Sequence, residues 1–474
     1  MNEVSSTTNL SYDNGDFSFQ KIQANVLFDI WKSMKKKHNS NPDSHGFCMK
    51  MLVYTIHSPN VYNVLVHLIN SSIESNVYPD CFKMSTVIPL PKIKEANNVS
   101  HYRPISLQSH LSKFFEKAVK SQFMNYLEGN NILFDGQFGF RKNHSTEHAV
   151  LALSQILHKN LNANKFTAVM ALDLQKAFDK VDKAILLKKI AKMGINVKWF
   201  NSYLYDRVQV TKINENISEP QRTLLGVPQG SVLGPSLFSA FINDLPEFVE
   251  NGTLILFADD NYDLVSGFVD EMELVMIKLQ KDVEGIMEWM DSNHMKLNVE
   301  KTELLLVGTK SMLRKLTGLK LEIGGKTILP KPFIKCLGMF IDCNLSWNHH
   351  INHVVKNINF NLKCLYPYNN YFCANVLKIL CETLCLSHLQ YMTMIWGSAD
   401  KKALKPVMKC FKSAARFVLS KKKYDSITTE LTDHLLWLTP KNLYYYICLS
   451  FIKSFMLGTC PHIFSDIFDI SQTD

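Results

Sequence analysis

Residues 253–267 read TLILFADDNYDLVSG. A short apolar run leads into two adjacent aspartates, Asp259 and Asp260, and a second β-prone run, 262–265, follows them. The pattern predicts a β-hairpin with the acidic pair at its tip. Two-residue hairpin loops ordinarily take Asn-Gly or Asp-Gly, because φ turns positive there. Asp-Asp instead sets two like charges side by side, and they repel unless a cation sits between them. Hard carboxylate oxygens of this kind suit Mg2+. An exposed acidic turn reads the same way, so the rest of the chain has to decide.

The deciding company lies upstream. Residues 166–182 read FTAVMALDLQKAFDKVD. Residues 166–172 predict an apolar strand with Asp173 at its end, and the spacing of Ala177, Phe178, Val181, Ile185 and Leu186 then turns helical. A carboxylate at a strand end, opposite a hairpin tip with two more, is the arrangement that holds two metal ions. Such ions sit ~3.5–4 Å apart and clamp the attacking and leaving oxygens of a phosphoryl transfer. Between the two acidic stretches, residues 225–246 read LGVPQGSVLGPSLFSAFINDLP. Here a Pro-Gln-Gly-Ser loop, with Gln229 and Gly230, leads into an apolar helix, and its small residues let a ligand approach the backbone.

The order ALDLQKAFDKV (171–181), GVPQGSVLGP (226–235) and FADD (257–260) resembles the reverse transcriptases of non-LTR retrotransposons, the Jockey-like group in particular. VIPLPK (87–92), YRPISL (102–107), QFGFRKNHSTEHAV (137–150), MKLNVEKTE (295–303) and KCLGMFID (335–342) extend the match, which covers roughly residues 16 to 396. Each motif alone is short, but the ordered set is specific.

The resemblance implies an α+β right-hand polymerase with an antiparallel-sheet palm, α-rich fingers and a helical thumb. Its boundaries would be an N-terminal extension over 1–71, fingers and palm over 72–342, and thumb with C-terminal region over 343–474. It implies RNA-templated extension of a DNA primer with dNTPs. Asp173 and Asp259 would ligate two Mg2+ ions, with Mn2+ as the alternative, and Asp260 would be a weaker or shared ligand. An aromatic at Phe178, five residues after Asp173, would lie under the sugar and exclude a 2′-hydroxyl. Gln229 matches the glutamine of the nucleotide pocket. Arg103 and Lys92 would approach the triphosphate, where an Arg fork matches phosphate oxygens. Lys301 is a candidate for assisting the leaving pyrophosphate.

Composition agrees with a large enzyme. A chain of 474 residues points to two or three domains, and 46% apolar residues suffice for a sizeable core. The net charge of +9 favours a polyanionic partner. Eleven cysteines lie scattered without CxxC pairs, as in a reduced, intracellular protein of nucleus or cytoplasm. The N-terminal residues are polar rather than signal-like, and no stretch is long and apolar enough to suggest a membrane span.

Taken in order, residues 1–16 predict disorder, and 35–44, KKKHNSNPDS, a basic loop. Helices are expected over 17–34, 57–77, 111–127, 147–157 and 271–290, the fourth capped by Ser145 or Thr146. Strands are expected over 84–92 and 303–307, a Gly-Gly hairpin over 319–328, and one further strand over 333–341 as a primer grip. From residue 348 on the pattern is helical. Residues 401–423 hold nine Lys or Arg and no acid, which fits a thumb tracking a nucleic-acid backbone. Cys381, Cys385 and His388 share a helix face, but structural zinc needs a fourth ligand, so they read as core.

Two other readings fit parts of the chain. One is a viral-type RNA-dependent RNA polymerase, against which Phe178 argues. The other is a decayed or domesticated RNA-binding remnant, since FADD is followed by Asn261-Tyr-Asp and Asp263 adds a third charge nearby. No upstream endonuclease or C-terminal zinc knuckle is read, so target-site cleavage is not expected of this chain.

Overall fold

A computed structural model describes residues 16–35, 42–43 and 46–467. The disordered start and the basic loop read over 1–16 and 35–44 lie outside these residues but for 16, 35, 42 and 43. The chain divides into two compact units, each discontinuous in sequence.

One unit combines residues 135–173, 248–287 and 297–474. Its centre is a five-stranded sheet in the order Pro330–Lys331, Glu303–Val307, Phe166–Asp173, Asp260–Gly267, Thr253–Phe257. All neighbours are antiparallel except Pro330–Lys331, which runs parallel to Glu303–Val307. Phe166–Asp173 lies in the middle, and its apolar run is buried on both faces. One face, with Val169, Tyr262 and Leu264, packs against the helix Thr146–Asn162 and merges with a large core built from the C-terminal helices. That helix begins where expected: Ser145 Oγ accepts the His148 N–H at 3.1 Å. The other face carries Asn261, Asp263 and Val265, because successive strand residues alternate sides.

Residues 321–328 form the expected hairpin across Gly324-Gly325. The single strand expected over 333–341 is instead a second hairpin, Phe333–Cys336 with Met339–Asp342. Leu337 and Gly338 make its turn, both at positive φ. A glycine within a β-prone run marks a turn more often than a continuous strand. Helices Asn348–Leu365 and Lys401–Val418 lead the C-terminal half. Cys381 and Cys385 are fully buried there, as expected of core, and among the described residues no three His, Cys, Asp or Glu are grouped to hold a metal ion.

The other unit takes residues up to 134, 174–247 and 288–296. Met84–Pro91 and Tyr102–Leu107 pair antiparallel, and Val208–Ile213 adds in parallel to the first. Behind them Tyr78, Phe123, Trp199, Phe200 and Tyr203 form a buried aromatic cluster. Arg207 is buried over the Tyr203 ring at 5.0 Å. Glu116, fully buried, accepts the Val232 and Leu233 N–H groups at 2.6 and 3.0 Å. It thereby satisfies donors at the start of Gly234–Phe241, the helix that follows the Pro-Gln-Gly-Ser loop. Burial pushes the Glu116 carboxyl up from the usual carboxylate range, while those amides and Arg207 pull it back.

Candidate active site

The hairpin of the opening stretch forms, with one correction. Its two-residue loop is Ala258-Asp259, and Asp260 is the first residue of the return strand, paired with Phe257. The left-handed residue is Ala258, at φ +57°. An alanine holds that conformation because its N–H donates to Gln137 Oε1 at 3.2 Å, and the same oxygen accepts the Gly139 N–H at 2.7 Å. Gln137 is itself buried, so the loop bearing Asp259 rests on a fixed side chain.

Asp173 and Asp260 are direct cross-strand partners, so both carboxylates stand on one face of the sheet at the ends of two interior strands, next to Asp259. They line a cavity of about 310 Å³ with Tyr262, Glu300, Lys301, Glu303 and Lys335. Lys301 Nζ lies 3.3 Å from Asp173 Oδ2. Asn298 Nδ2 donates to the same oxygen at 2.8 Å, and the Asn298 N–H donates to the Asp173 carbonyl at 2.8 Å. Burial, then the charges of Asp259 and Asp173, raise the Asp260 carboxyl to about 6, with Lys301 opposing them. The Asp259 and Asp173 charges acting on Asp260 call for positive charge, and Lys301 supplies part of it, although the three carboxyl groups are not gathered closely enough to hold one ion among them. A Mg2+ site commonly uses one or two protein carboxylates and completes itself with substrate oxygens and water. The donor set here fits that description. Asp263 stands apart: it is fully buried on the opposite face and adds no charge to this cluster.

The remaining expected residues lie in the other unit. Phe178 is half-buried and stacked on Phe238 with centroids 4.7 Å apart, and its carbonyl accepts the Val227 N–H at 2.9 Å. The Gln229 carbonyl accepts the Ser106 N–H at 2.8 Å. Gln229 Oε1 is buried without a donor. Gly230 sits at φ +113°, and a Cβ there would meet the Ser106 carbonyl at 2.7 Å, so the loop requires glycine. Gln229 lines a second cavity of about 340 Å³ with Lys176, Asp179, Arg207 and Arg222. Lys92 Nζ donates to the Ser100 carbonyl at 3.1 Å, and Arg103 is exposed on the strand edge opposite Leu90. Burial raises the Asp179 carboxyl, with Lys176 and Lys92 lowering it in part.

Sequence reasoning overlooked Gln137, Asn298 and Lys335, although each sits inside a quoted motif.

A family model described as reverse transcriptase (RNA-dependent DNA polymerase) matches residues 91–341, more than half of the chain. The chain belongs to the reverse transcriptase family. Its mixed helix-and-sheet architecture, with an antiparallel sheet bearing the acidic residues, is that of this right-hand polymerase class. The chain is 29% identical over 347 residues to a probable RNA-directed DNA polymerase from transposon BS of Drosophila melanogaster, covering 70% of this chain and 37% of the relative. It is 24% identical over 302 residues to the RNA-directed DNA polymerase from mobile element jockey of the same organism, covering 61% and 32%. A probable RNA-directed DNA polymerase from transposon X-element, also of that fly, is 28% identical over 235 residues, 48% of this chain and 26% of the relative. The Jockey-like resemblance therefore holds, and this reverse transcriptase spans about a third of the length of these relatives. Among its described residues no helix is long and apolar enough to cross a membrane.

Proposed function

We propose that this chain is an RNA-directed DNA polymerase of a Jockey-like non-LTR element, extending a DNA primer on an RNA template with dNTPs and releasing pyrophosphate. The observation that carries this reading is the cross-strand pairing of Asp173 with Asp260 beside the Asp259 loop, with Lys301 against Asp173. Asp173 and Asp259 would hold two Mg2+ ions, or Mn2+, and Asp260 would share one of them. Bound there, the ions lower the pKa of the primer 3′-hydroxyl and neutralise the triphosphate.

The chain's own residues do the rest. Gln137 fixes the Asp259 loop, and Asn298 orients the Asp173 carboxylate. Lys301 stands ready to meet charge on the departing pyrophosphate. Arg103 and Lys92 offer phosphate donors, and Gln229 offers an unfilled acceptor beside Gly230. The Phe178 ring, backed by Phe238, would lie beneath the sugar. Residues 72–342 would make up fingers and palm, 343–474 the thumb and C-terminal region, and 1–71 an extension. On the thumb, Lys401, Lys402, Lys405, Lys409 and Lys412 share the exposed side of one helix and suit a duplex backbone. Lys421 fits that role less well, because it pairs with Glu430 at 3.1 Å.

The test is primer extension by the purified chain on a defined RNA template, with kcat/KM measured for dNTP and rNTP. Wild type should extend with dNTPs. Phe178→Ala should cut the dNTP-over-rNTP ratio by more than the ~10–200-fold of an ordinary pocket methylene, because a steric clash is being relieved. If Phe178 is plain core, truncation costs ~3–5 kcal/mol of stability and both sugars suffer alike. An unchanged ratio with a lowered melting temperature removes the sugar gate and reopens the RNA-polymerase reading. No extension by wild type removes the polymerase assignment itself.

A further inference from the structure

Beyond the helix Asn348–Leu365 the chain reads Tyr366-Pro367-Tyr368-Asn369-Asn370-Tyr371-Phe372. This short turn leaves its rings in solvent: Tyr371 is 81% exposed, Tyr366 and Tyr368 52% each, and Phe372 43%. Phe360, on the last turns of the preceding helix, is 65% exposed. Aromatic rings carry large apolar areas and rank among the side chains most worth burying. Five of them in thirteen residues exceed the scattered apolar groups that any surface carries.

The rings are held rather than loose. Tyr366 meets the buried Phe417 edge-on at 5.1 Å, and Tyr368 and Phe372 lie 6.3 Å apart at 37°. The Asn369 and Tyr371 N–H groups donate to the Tyr366 and Tyr368 carbonyls, at 3.2 and 3.1 Å.

Charge identifies what would cover them. Between Asp342 and Tyr424 stand twelve Lys or Arg and only two acids, Glu382 and Asp400. Both acids are engaged: Glu382 accepts the Trp437 indole N–H at 2.7 Å, and Asp400 caps its own helix. Phe417, against which Tyr366 rests, is one residue from the end of Lys401–Val418. Lys421, Lys422 and Lys423 follow directly. Lys422 and Lys423 are exposed, as is Lys363 on the other helix, and the Lys423 ammonium lies 5.2 Å above the exposed Tyr424 ring. Rings interleaved with cations are the pattern that binds single-stranded nucleic acid: bases stack on rings, and phosphates meet ammonium groups.

We propose that this turn is a stacking platform for a single-stranded stretch of nucleic acid. Tyr368, Tyr371 and Phe372 take the bases, and Lys363, Lys422 and Lys423 take the phosphates. The site lies away from the carboxylates in sequence and element. It rests on the polymerase reading only in supposing that the chain handles nucleic acid. Stacking is indifferent to the sugar, so RNA and DNA single strands are both candidates and the measurement separates them.

The experiment titrates the full chain into labelled single-stranded RNA and DNA 12-mers of one sequence, across a range of salt. Tyr368→Ala with Tyr371→Ala should weaken single-strand binding at least ~10-fold, since each stacked base contributes ~1–3 kcal/mol, and should leave the salt slope unchanged. Tyr371→Phe should keep wild-type affinity, because the ring remains. Lys422→Glu with Lys423→Glu should weaken binding and lower the log–log salt slope by ~0.7 per lost phosphate contact. The tighter of the two 12-mers names the natural strand. All these side chains are exposed, so melting temperatures should stay at the wild-type value. Tyrosine variants that bind both strands like wild type overturn the proposal. So does concentration-dependent self-association that they abolish at unchanged RNA affinity, which would make the patch a protein interface. Extension of a primer with a two-nucleotide template overhang is measured in parallel. Single-strand binding without extension retires the polymerase reading and leaves the platform standing.

Discussion

One face of the central sheet carries two aspartates and the other sets one against an aspartate of the helix Met272–Ser292, and the pairs live under opposite conditions. On one face Asp173 and Asp260 meet across neighbouring strands at an open cavity, with the Lys301 ammonium 3.3 Å from Asp173. On the other, Asp263 is fully buried beside Asp282, and no side chain donates to either of its carboxyl oxygens. Asp282 is satisfied by the Glu250 and Asn251 amides, each 3.0 Å from Oδ1. Crowded carboxylates invite a cation only where one can enter. On the proposed reading the open pair is the metal-binding site, and the sealed pair is a structural load.

The sharpest way to break this contrast is to neutralise one aspartate on each face. Asp173→Asn and Asp259→Asn should each reduce primer extension at least ~1,000-fold, because a lost metal anchor removes several kcal/mol of transition-state stabilisation. Their melting temperatures should hold or rise. Asp263→Asn should extend primers within ~2-fold of wild type, as expected of a change away from the reacting groups. Near-normal extension by either front-face variant, or a dead Asp263→Asn enzyme, would erase the distinction.

A smaller effect tests how finely the open face is set. A Cβ on Gly139 would fall 2.4 Å from the Ala258 N–H nitrogen and 3.0 Å from Gln137 Oε1. Gly139→Ala must therefore shift the loop that carries Asp259. A displacement near 1 Å at a reacting group can cost ~100-fold, so extension should fall by ~10–100-fold. Overpacking should also lower stability by ~1–3 kcal/mol. Wild-type kinetics in this variant would mean that the Gln137 support is dispensable.

Much of this was legible in the chain. The apolar run into Asp173, the hairpin at 253–267, the Ser145 cap and the Gly-Gly turn all follow from local patterns, and the structure forms each of them. The illegible parts are contacts over long sequence separations. Ala258 can turn left-handed because Gln137, 121 residues earlier, holds its N–H. Asp173 is oriented by Asn298, 125 residues later. Propensity cannot express either. The hairpin at 333–342 was misread because Lys-Cys-Leu-Gly continues the alternation of a strand through a turn held by tertiary contacts, among them the Tyr391 hydroxyl on the Leu337 carbonyl. Asp263 was misjudged for a simpler reason. It stands three residues from Asp260, and an odd spacing along a strand puts side chains on opposite faces. Parity alone would have separated it from the cluster.

The smallest expected effect is on stability, and its sign follows from protonation. Burial first and the Asp282 charge second raise the Asp263 carboxyl to about 8, with the Leu264 backbone amide opposing them. In the unfolded chain the same group ionises near ~3.9. Between those values the folded state holds a proton that the unfolded state has released, so stability falls as pH rises from about 4 through about 8. Below that window Asp263 is protonated in both states and costs nothing extra. Asp263→Asn keeps the shape and removes the titration. It should match wild type in melting temperature near pH 4 and exceed it progressively toward pH 8. A buried polar group left unsatisfied costs ~1–3 kcal/mol, and at ~2–4 °C per kcal/mol for a large domain the gain at pH 8 should be several degrees. Asp282 is the charged group that acts on Asp263, and it is buried with it, whereas Lys281 and Glu250 pair with each other in solvent at 2.6 Å. Asp282→Asn should therefore shift the same curve by removing the repelling charge, although it weakens the cap on Glu250 and Asn251. A melting difference for Asp263→Asn that is flat across pH would mean the buried carboxyl does not titrate in this range. A difference that grows toward acid would reverse the sign and place a cation, rather than a proton, on the sealed face.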